Sequence, residues 1–323
     1  MGARGAFIGF WGVKKAFLDL TPNETDCRNP FSSLFPDLSS VPSDGLIAVG
    51  GELRPEVALA ALTSGIFPWT LEADFRDLEG SDEEEEEVFS SEDFADVCLE
   101  DDFEDSIRTE EGNVARFGAA RWENFDRSSL KTINEARSIL GWWAPDPRAI
   151  FDLNSIHVPR RVQRMLRNGK FEITFDRAFP EVMLACANVG ERRAEGSWIC
   201  REFFDCYCQL YEDGLAHSVE CWLDSSESNI DGSNEFGFGR RLVGGLYGVA
   251  INGFFEGESM FSAVSNASKV ALFSLLLRLK EKNFALFDLQ VLNPHTKSLG
   301  GIEISREDYM RRLAEALSAP VQF

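Results

Sequence analysis

The chain has 323 residues, 44% of them hydrophobic and 12% aromatic, enough to build real cores in one large domain or two smaller ones. Its formal net charge of −22 argues at first sight against a nucleic-acid partner, because phosphate binding runs on Lys and Arg. No apolar run reaches the roughly 18 residues of a membrane span, and seven cysteines without a C-x-x-C pair, beside three histidines, exclude a zinc-ligand spacing and suit reduced thiols in a cytosol.

The N-terminal stretch "AFIGFWGV" is cut short by Lys14 and Lys15, with no small-residue cleavage site after it. Residues 1–30 are set apart as an extension. A small N-terminal domain is expected over 31–146. In "GLIAVGGELRPEVALAALTSGIFPWT", Pro55 can sit in the first turn of a helix, with apolar Val57, Leu59, Ala60 and Leu62 behind it. An acidic segment over 71–134, with a run of five Glu and no sustained period of 2 or 3.6, then interrupts the domain and is expected to be a disordered insertion. From Leu71 to Glu111 it holds 20 Asp and Glu against Arg76 and Arg108, so the rest of the chain is close to neutral, at about −4. The objection to a nucleic-acid partner therefore applies to one segment only.

Beyond the insertion helices and strands alternate. A basic helix is expected from about Pro159, then a strand "FEITF", a helix "DRAFPEVMLACAN", a helix from about Cys200 to Glu212 and a strand "HSVECWL". "RRLVGGLYGVAINGFFEGESMF" reads as a hairpin around Asn252-Gly253, a pair that favours a type I′ turn. An amphipathic helix "NASKVALFSLLLRLKEKN" leads into the strand "FALFDLQVL", and a last helix follows Ser305 and Asp308 at capping-box-like spacing. The order implies a mixed α/β sheet over 147–323.

Residues two apart in a strand share a face, so the Phe284 strand places Asp288 and Gln290 side by side. They can be structural, or they can be a site. Glu258 in the neighbouring hairpin would bring a third polar side chain to the same region. A buried carboxylate needs a partner, and with no Arg or Lys on these strands a bound cation or amine is the natural candidate. Leu272, Leu275, Leu276 and Leu279 form a stripe that is either plain core or the wall of an apolar pocket. Arg160, Arg164 and Arg167 fall on one helical face, flanked by Arg161 and Lys170, a grouping that phosphate contact explains. The glycines at Val49 and Leu242 lack nucleotide-loop spacing, and His217 and His295 have no serine or cysteine placed to form a triad.

The motifs "GLIAVGGEL", "GIFPWT", "WWAPDPRA", "HSVE", "LVGGLYGVA", "GESMFS", "NASKVAL" and "DLQVLNPHTKSLG", in that order, closely resemble the leucyl/phenylalanyl-tRNA-protein transferases of bacteria, from about Phe35 to Leu317 apart from the insertion. The resemblance implies transfer of leucine or phenylalanine, with methionine as a further candidate, from aminoacyl-tRNA to the N-terminal Arg or Lys of acceptor proteins, marking them as N-degrons. It implies a small N-terminal domain before a GNAT-like acyltransferase domain, without metal or coenzyme; a cytoplasmic location follows from the reduced thiols, and a monomer is the default expectation. The R/Q-x-x-G-x-G/A loop of acetyl-CoA users is missing. By position, the resemblance makes Asp288 and Gln290 the catalytic or orienting pair and Glu258 the partner of the acceptor's basic residue. It puts Trp69 and Trp198 around the terminal adenosine, Leu246, Phe255, Leu272, Leu275 and Leu279 around the transferred side chain, and Arg160, Arg161, Arg164, Arg167 and Lys170 against tRNA. In "GSWIC", Ser197 and Cys200 stand where threonines are expected. A transferase with another acceptor preference and a non-catalytic binder of aminoacyl-tRNA or degrons are the competing readings.

Overall fold

The computed structural model describes residues 9–10, 13–14, 35, 38, 41–71, 133, 139–189, 197–224, 235–236 and 240–323. Most of the expected acidic insertion, and most of the extension, lie outside the described residues. Within the extension β1 (Gly9–Phe10) pairs with β2 (Val13–Lys14).

A three-stranded antiparallel sheet is formed by β3 (Leu46–Val49), β4 (Phe67–Leu71) and β5 (Ile139–Trp143), with β5 in the middle. Between β3 and β4 runs α1 (Pro55–Thr63), which opens on Pro55, where a missing N–H costs nothing, and buries Val57, Ala58, Ala60, Ala61 and Leu62. The next elements are β6 (Arg148–Phe151), α2 (Arg160–Arg167), β7 (Glu172–Phe175), α3 (Phe179–Asn188), α4 (Arg201–Glu212) and β8 (Ala216–Asp224). They are followed by β9 (Glu235–Phe236), β10 (Arg240–Ile251), β11 (Phe254–Ser262), α5 (Ala267–Glu281), β12 (Leu286–Gln290), α6 (Pro294–Ser298), β13 (Ile302–Ile304) and α7 (Arg306–Ser318). The large sheet runs β13-β6-β12-β11-β10-β8-β7, with β9 on the edge of β10, and its β11–β12 pair is parallel among antiparallel neighbours. The expected mixed α/β sheet is therefore present.

Two apolar clusters sandwich this sheet. One joins α3, α4 and α7 to α1 and the small sheet. The other lies beneath α5 and α2. Arg306 ties the C-terminal helix to the small sheet, donating to the carbonyls of Val41 and Ala144, and Leu53 N–H donates to Glu202 Oε1 at 2.6 Å. The Asn252-Gly253 hairpin forms in the expected register, Ile251 opposite Phe254. Its turn is not type I′, which needs positive φ at both residues: Asn252 has φ 52°, whereas Gly253 stays out of the left-handed region. Tertiary anchoring decides this. Gly253 N–H donates to Ala316 O, and its carbonyl accepts from Ala285 N–H. Ser305 caps α7 as expected, its Oγ accepting from Asp308 N–H.

Candidate active site at the splayed strands

β11 and β12 are paired over Phe254, Phe255 and Glu256 opposite Leu286, Phe287 and Asp288. Both strands continue past that point, and beyond it their walls enclose a cavity of about 220 Å³. Its lining is mixed: apolar Leu246, Met260, Leu272, Phe287 and Leu289 occur together with Glu258 and Gln290, and Pro68, Trp69 and Trp198 also border it. Gly257 permits the approach of the strands, since a Cβ there would lie 2.7 Å from the Phe287 ring. A cavity of ~150 Å³ is enough for benzene, so there is room here for a side chain of leucine or phenylalanine size.

Asp288 does not line the cavity. It is fully buried, and its partner is Arg148 on the adjacent strand β6, with Nε 2.9 Å from Oδ1 and Nη2 2.5 Å from Oδ2. Tyr309 adds an O–H donor at 2.6 Å to Oδ2, and Gln290 N–H donates at 2.8 Å to Oδ1. This corrects the expectation that the carboxylate needs a bound cation: the protein supplies one, on a strand next to those considered. Arg148 itself is held between the rings of Phe67 and Tyr309, 4.6 Å from each, and donates to Gly65 O. Burial works against its charge, but Asp288, Tyr309 and Glu256 together more than offset this and hold the guanidinium protonated, above its ordinary range.

Gln290 bulges from β12. The pairing with β6 shifts register between Asp288 and Gln290, and Gln290 has φ 65°, a conformation uncommon for a residue with a long side chain. The Asp288 carboxylate, by accepting the Gln290 N–H, holds that turn. The side chain then donates from Nε2 to Glu256 Oε1 at 2.9 Å and to Glu258 Oε2 at 3.1 Å. Glu258 also accepts from Tyr207 O–H at 2.6 Å. Burial pushes Glu258 up to about 7, against the pull of its Tyr207 and Gln290 hydrogen bonds, and burial with Asp288 and Glu258 nearby raises Glu256 well above the carboxylate range. Glu258 is thus poised to change charge near neutrality at the edge of the cavity.

Trp69 and Trp198 meet edge to face with centroids 6.2 Å apart, and Trp69, which lines the cavity, is 37% exposed. Near Trp198, Ser197 Oγ accepts from Ile199 N–H, while Cys200 precedes α4 without a side-chain cap. Of the five expected pocket residues, Leu246 and Leu272 line the cavity; Phe255, Leu275 and Leu279 are fully buried and do not line it. Met260, Phe287 and Leu289 complete the apolar lining. On α2, Arg160, Arg161, Arg164 and Arg167 are exposed, as is Lys170 beyond its end, while Val162 anchors the helix to the core. Arg160, Arg161 and Arg164 have no carboxylate partner among the described residues. No group of His, Cys, Asp and Glu able to hold a metal occurs among the described residues.

The sequence reasoning missed Arg148, Glu256, Tyr207 and Tyr309. Two of them had a signal: Arg148 sits in the apolar run "RAIF", and Glu256 shares the strand periodicity of Glu258.

The sequence pattern of leucyl/phenylalanyl-tRNA protein transferases matches residues 150–314. A protein of that name from Flavobacterium johnsoniae is 32% identical over 276 residues, covering 85% of this chain and 93% of the relative. The chain belongs to the leucyl/phenylalanyl-tRNA protein transferase family. Another member, from Phenylobacterium zucineum, is 47% identical over 179 residues, 55% of this chain and 74% of its own. A solved structure, L-PGS from Bacillus licheniformis, overlaps 53% of this chain and 65% of its own at 12% identity, with a TM-score of 0.32, too distant to assign a fold family. As a leucyl/phenylalanyl-tRNA protein transferase by descent, the chain is an aminoacyltransferase, and no helix among its described residues is long and apolar enough to cross a membrane.

Proposed function

We propose that the chain transfers leucine or phenylalanine, with methionine as a third candidate, from aminoacyl-tRNA to the N-terminal Arg or Lys of acceptor proteins, creating N-degrons. The observation that carries this reading is the mixed lining of the cavity, apolar side chains together with a carboxyl group and a carboxamide, with the exposed Trp69 among the residues that border it. The transferred side chain enters against Leu246, Leu272 and Phe287. The terminal adenosine stays outside on Trp69 and Trp198, where stacking is worth about 1–3 kcal/mol per base. Glu258 faces the acceptor's cationic residue, and the exposed arginines of α2, with Lys170, meet tRNA phosphates.

In the transfer the neutral α-amine of the acceptor attacks the ester carbonyl. A C–N bond forms, the bond from carbonyl carbon to ribose oxygen breaks, and one proton passes from the nitrogen to that ribose oxygen. Gln290, with its NH2 turned to Glu256 and Glu258, has its Oε1 left to accept a hydrogen bond from the amine and align it. An amide is too weak a base to keep the proton. Asp288, whose oxygens already accept from Arg148, Tyr309 and Gln290 N–H, acts as a positioning residue for Gln290. On this reading residues 147–323 are a GNAT-like catalytic domain, residues 31–146 a small domain that adds Trp69, and the enzyme works as a cytoplasmic monomer without metal or coenzyme.

The test is transfer of radiolabelled leucine or phenylalanine from charged tRNA to peptides beginning Arg, Lys, Asp, Glu or Ala. Product on the Arg and Lys peptides alone is expected. Bound charged tRNA with no product on any peptide would make the protein a binding module instead.

A further inference from the structure

Glu256 has had no part in the transfer, and its surroundings set it apart. It is fully buried on β11, directly opposite Asp288. Its Oε1 accepts from Gln290 Nε2 at 2.9 Å and lies 3.9 Å from Arg148 Nη2, whereas its Oε2 has no hydrogen-bond partner among the described residues. The groups facing it are Arg148 from β6, Asp288 and Gln290 from β12, and Glu258 from its own strand, with Tyr207, Tyr247 and Tyr309 closing the cluster from α4, β10 and α7. Three carboxyl groups therefore share one guanidinium, and Asp288 takes its closest contacts. A carboxyl placed so deep without a cation of its own is expensive, and plain packing does not call for one.

What this carboxyl does is decided by its contact with Gln290. The two ends of a carboxamide have nearly the same shape and opposite hydrogen-bonding character. With Glu256 and Glu258 both offering acceptor oxygens, the NH2 must face them; turned over, the amide would set its own carbonyl oxygen against two others. Glu258 alone cannot enforce this, because it lies at the cavity edge and serves the incoming acceptor. Glu256 is out of reach of any ligand in the cavity.

We propose that Glu256 is a positioning residue for the transfer, holding the Gln290 carboxamide with its NH2 toward the protein and its carbonyl oxygen toward the attacking amine. The proposal rests on the role given to Gln290 above. Only a carbonyl oxygen is required for the task, and the side-chain carbonyl of a glutamine at this position can accept the same hydrogen bond from Gln290 Nε2, so it serves equally.

The experiment compares E256Q, E256M, Q290M and the E256M/Q290M double variant in leucine transfer from charged tRNA to an Arg-initiated peptide, with folding checked by thermal unfolding. E256Q is expected to stay within about threefold of wild type, while E256M loses up to about 100-fold in kcat with KM for both substrates unchanged, the scale of a lost reacting geometry. Q290M is expected to lose as much, and the double variant no more than Q290M alone, because both residues act as one unit. E256M at wild-type kcat, or E256Q as impaired as E256M, overturns the inference while Q290M still upholds the role of Gln290. Full activity in Q290M overturns both. Should E256M fail to fold, hydrogen exchange of the Gln290 side-chain NH2 in the wild type decides. Protection relative to exposed glutamines supports the orientation, and exchange at the exposed rate overturns it.

Discussion

The polar cluster on β11 and β12 has a closed half and an open half. In the closed half Asp288 is saturated by Arg148, Tyr309 and the Gln290 N–H, deep beneath the junction with the small sheet. In the open half Glu258 and Gln290 line the cavity, and Glu258 has no cation in hydrogen-bond contact, only the O–H of Tyr207 and the NH2 of Gln290. Charge that is neutralised and sealed supports the fold. Charge left without a counterion at a cavity wall is a place for a ligand's charge, and it is held there at a cost to stability.

The largest effect should come from breaking the closed half. Arg148→Leu leaves Asp288 buried without its cation and is expected to cost about 3–5 kcal/mol in urea unfolding, enough to threaten folding altogether. Breaking the open half should act on substrate instead. Glu258→Gln removes a charged partner of the acceptor, and loss of a charge-assisted contact of roughly 1.5–3 kcal/mol predicts a fall of about 10- to 150-fold in kcat/KM for Arg-initiated peptides, without matching loss for charged tRNA. The same residue sharpens the contrast through pH. Pairing with an acceptor cation needs the carboxylate, so the advantage of Arg over Ala peptides should grow as pH rises through about 7 and be absent from E258Q. For stability the sign is opposite: with its folded pKa raised, Glu258 binds more protons in the native state than unfolded, so it destabilises the fold as pH climbs from the usual carboxylate range through about 7. The smallest effect belongs to α2, where Arg164→Ala should weaken tRNA binding uniformly across tRNA sequences and reduce the salt slope by about 1.

Much of this was legible in the chain because local rules and tertiary packing agree. Pro55 marks the start of α1, Ser305 caps α7, and the Asn252-Gly253 pair makes the hairpin. Asp288, Gln290 and Glu258 stood out as polar residues in apolar strands. What the chain did not reveal depends on strands remote in sequence. Arg148 meets Asp288 across 140 residues, and nothing local to either announces the pair. The side-chain stripe of α5 could not be divided by periodicity, since Leu272, which lines the cavity, and Leu275 and Leu279, which are fully buried and do not line it, share one helical face. Trp69 and Trp198, 129 positions apart by their numbers, were linked by family resemblance and are brought to edge contact by the docking of the small sheet.

The division between a sealed half that supports the fold and an open half that serves substrate is tested most directly by measuring unfolding stability and transfer to Arg and Ala peptides for D288N and E258Q side by side at pH 8. D288N should lose stability as well as turnover. E258Q should be at least as stable as the wild type, because it no longer keeps a charge buried without a counterion, and should lose its preference for the Arg peptide. An E258Q protein as destabilised as D288N, or one that still discriminates Arg from Ala as the wild type does, would contradict that division.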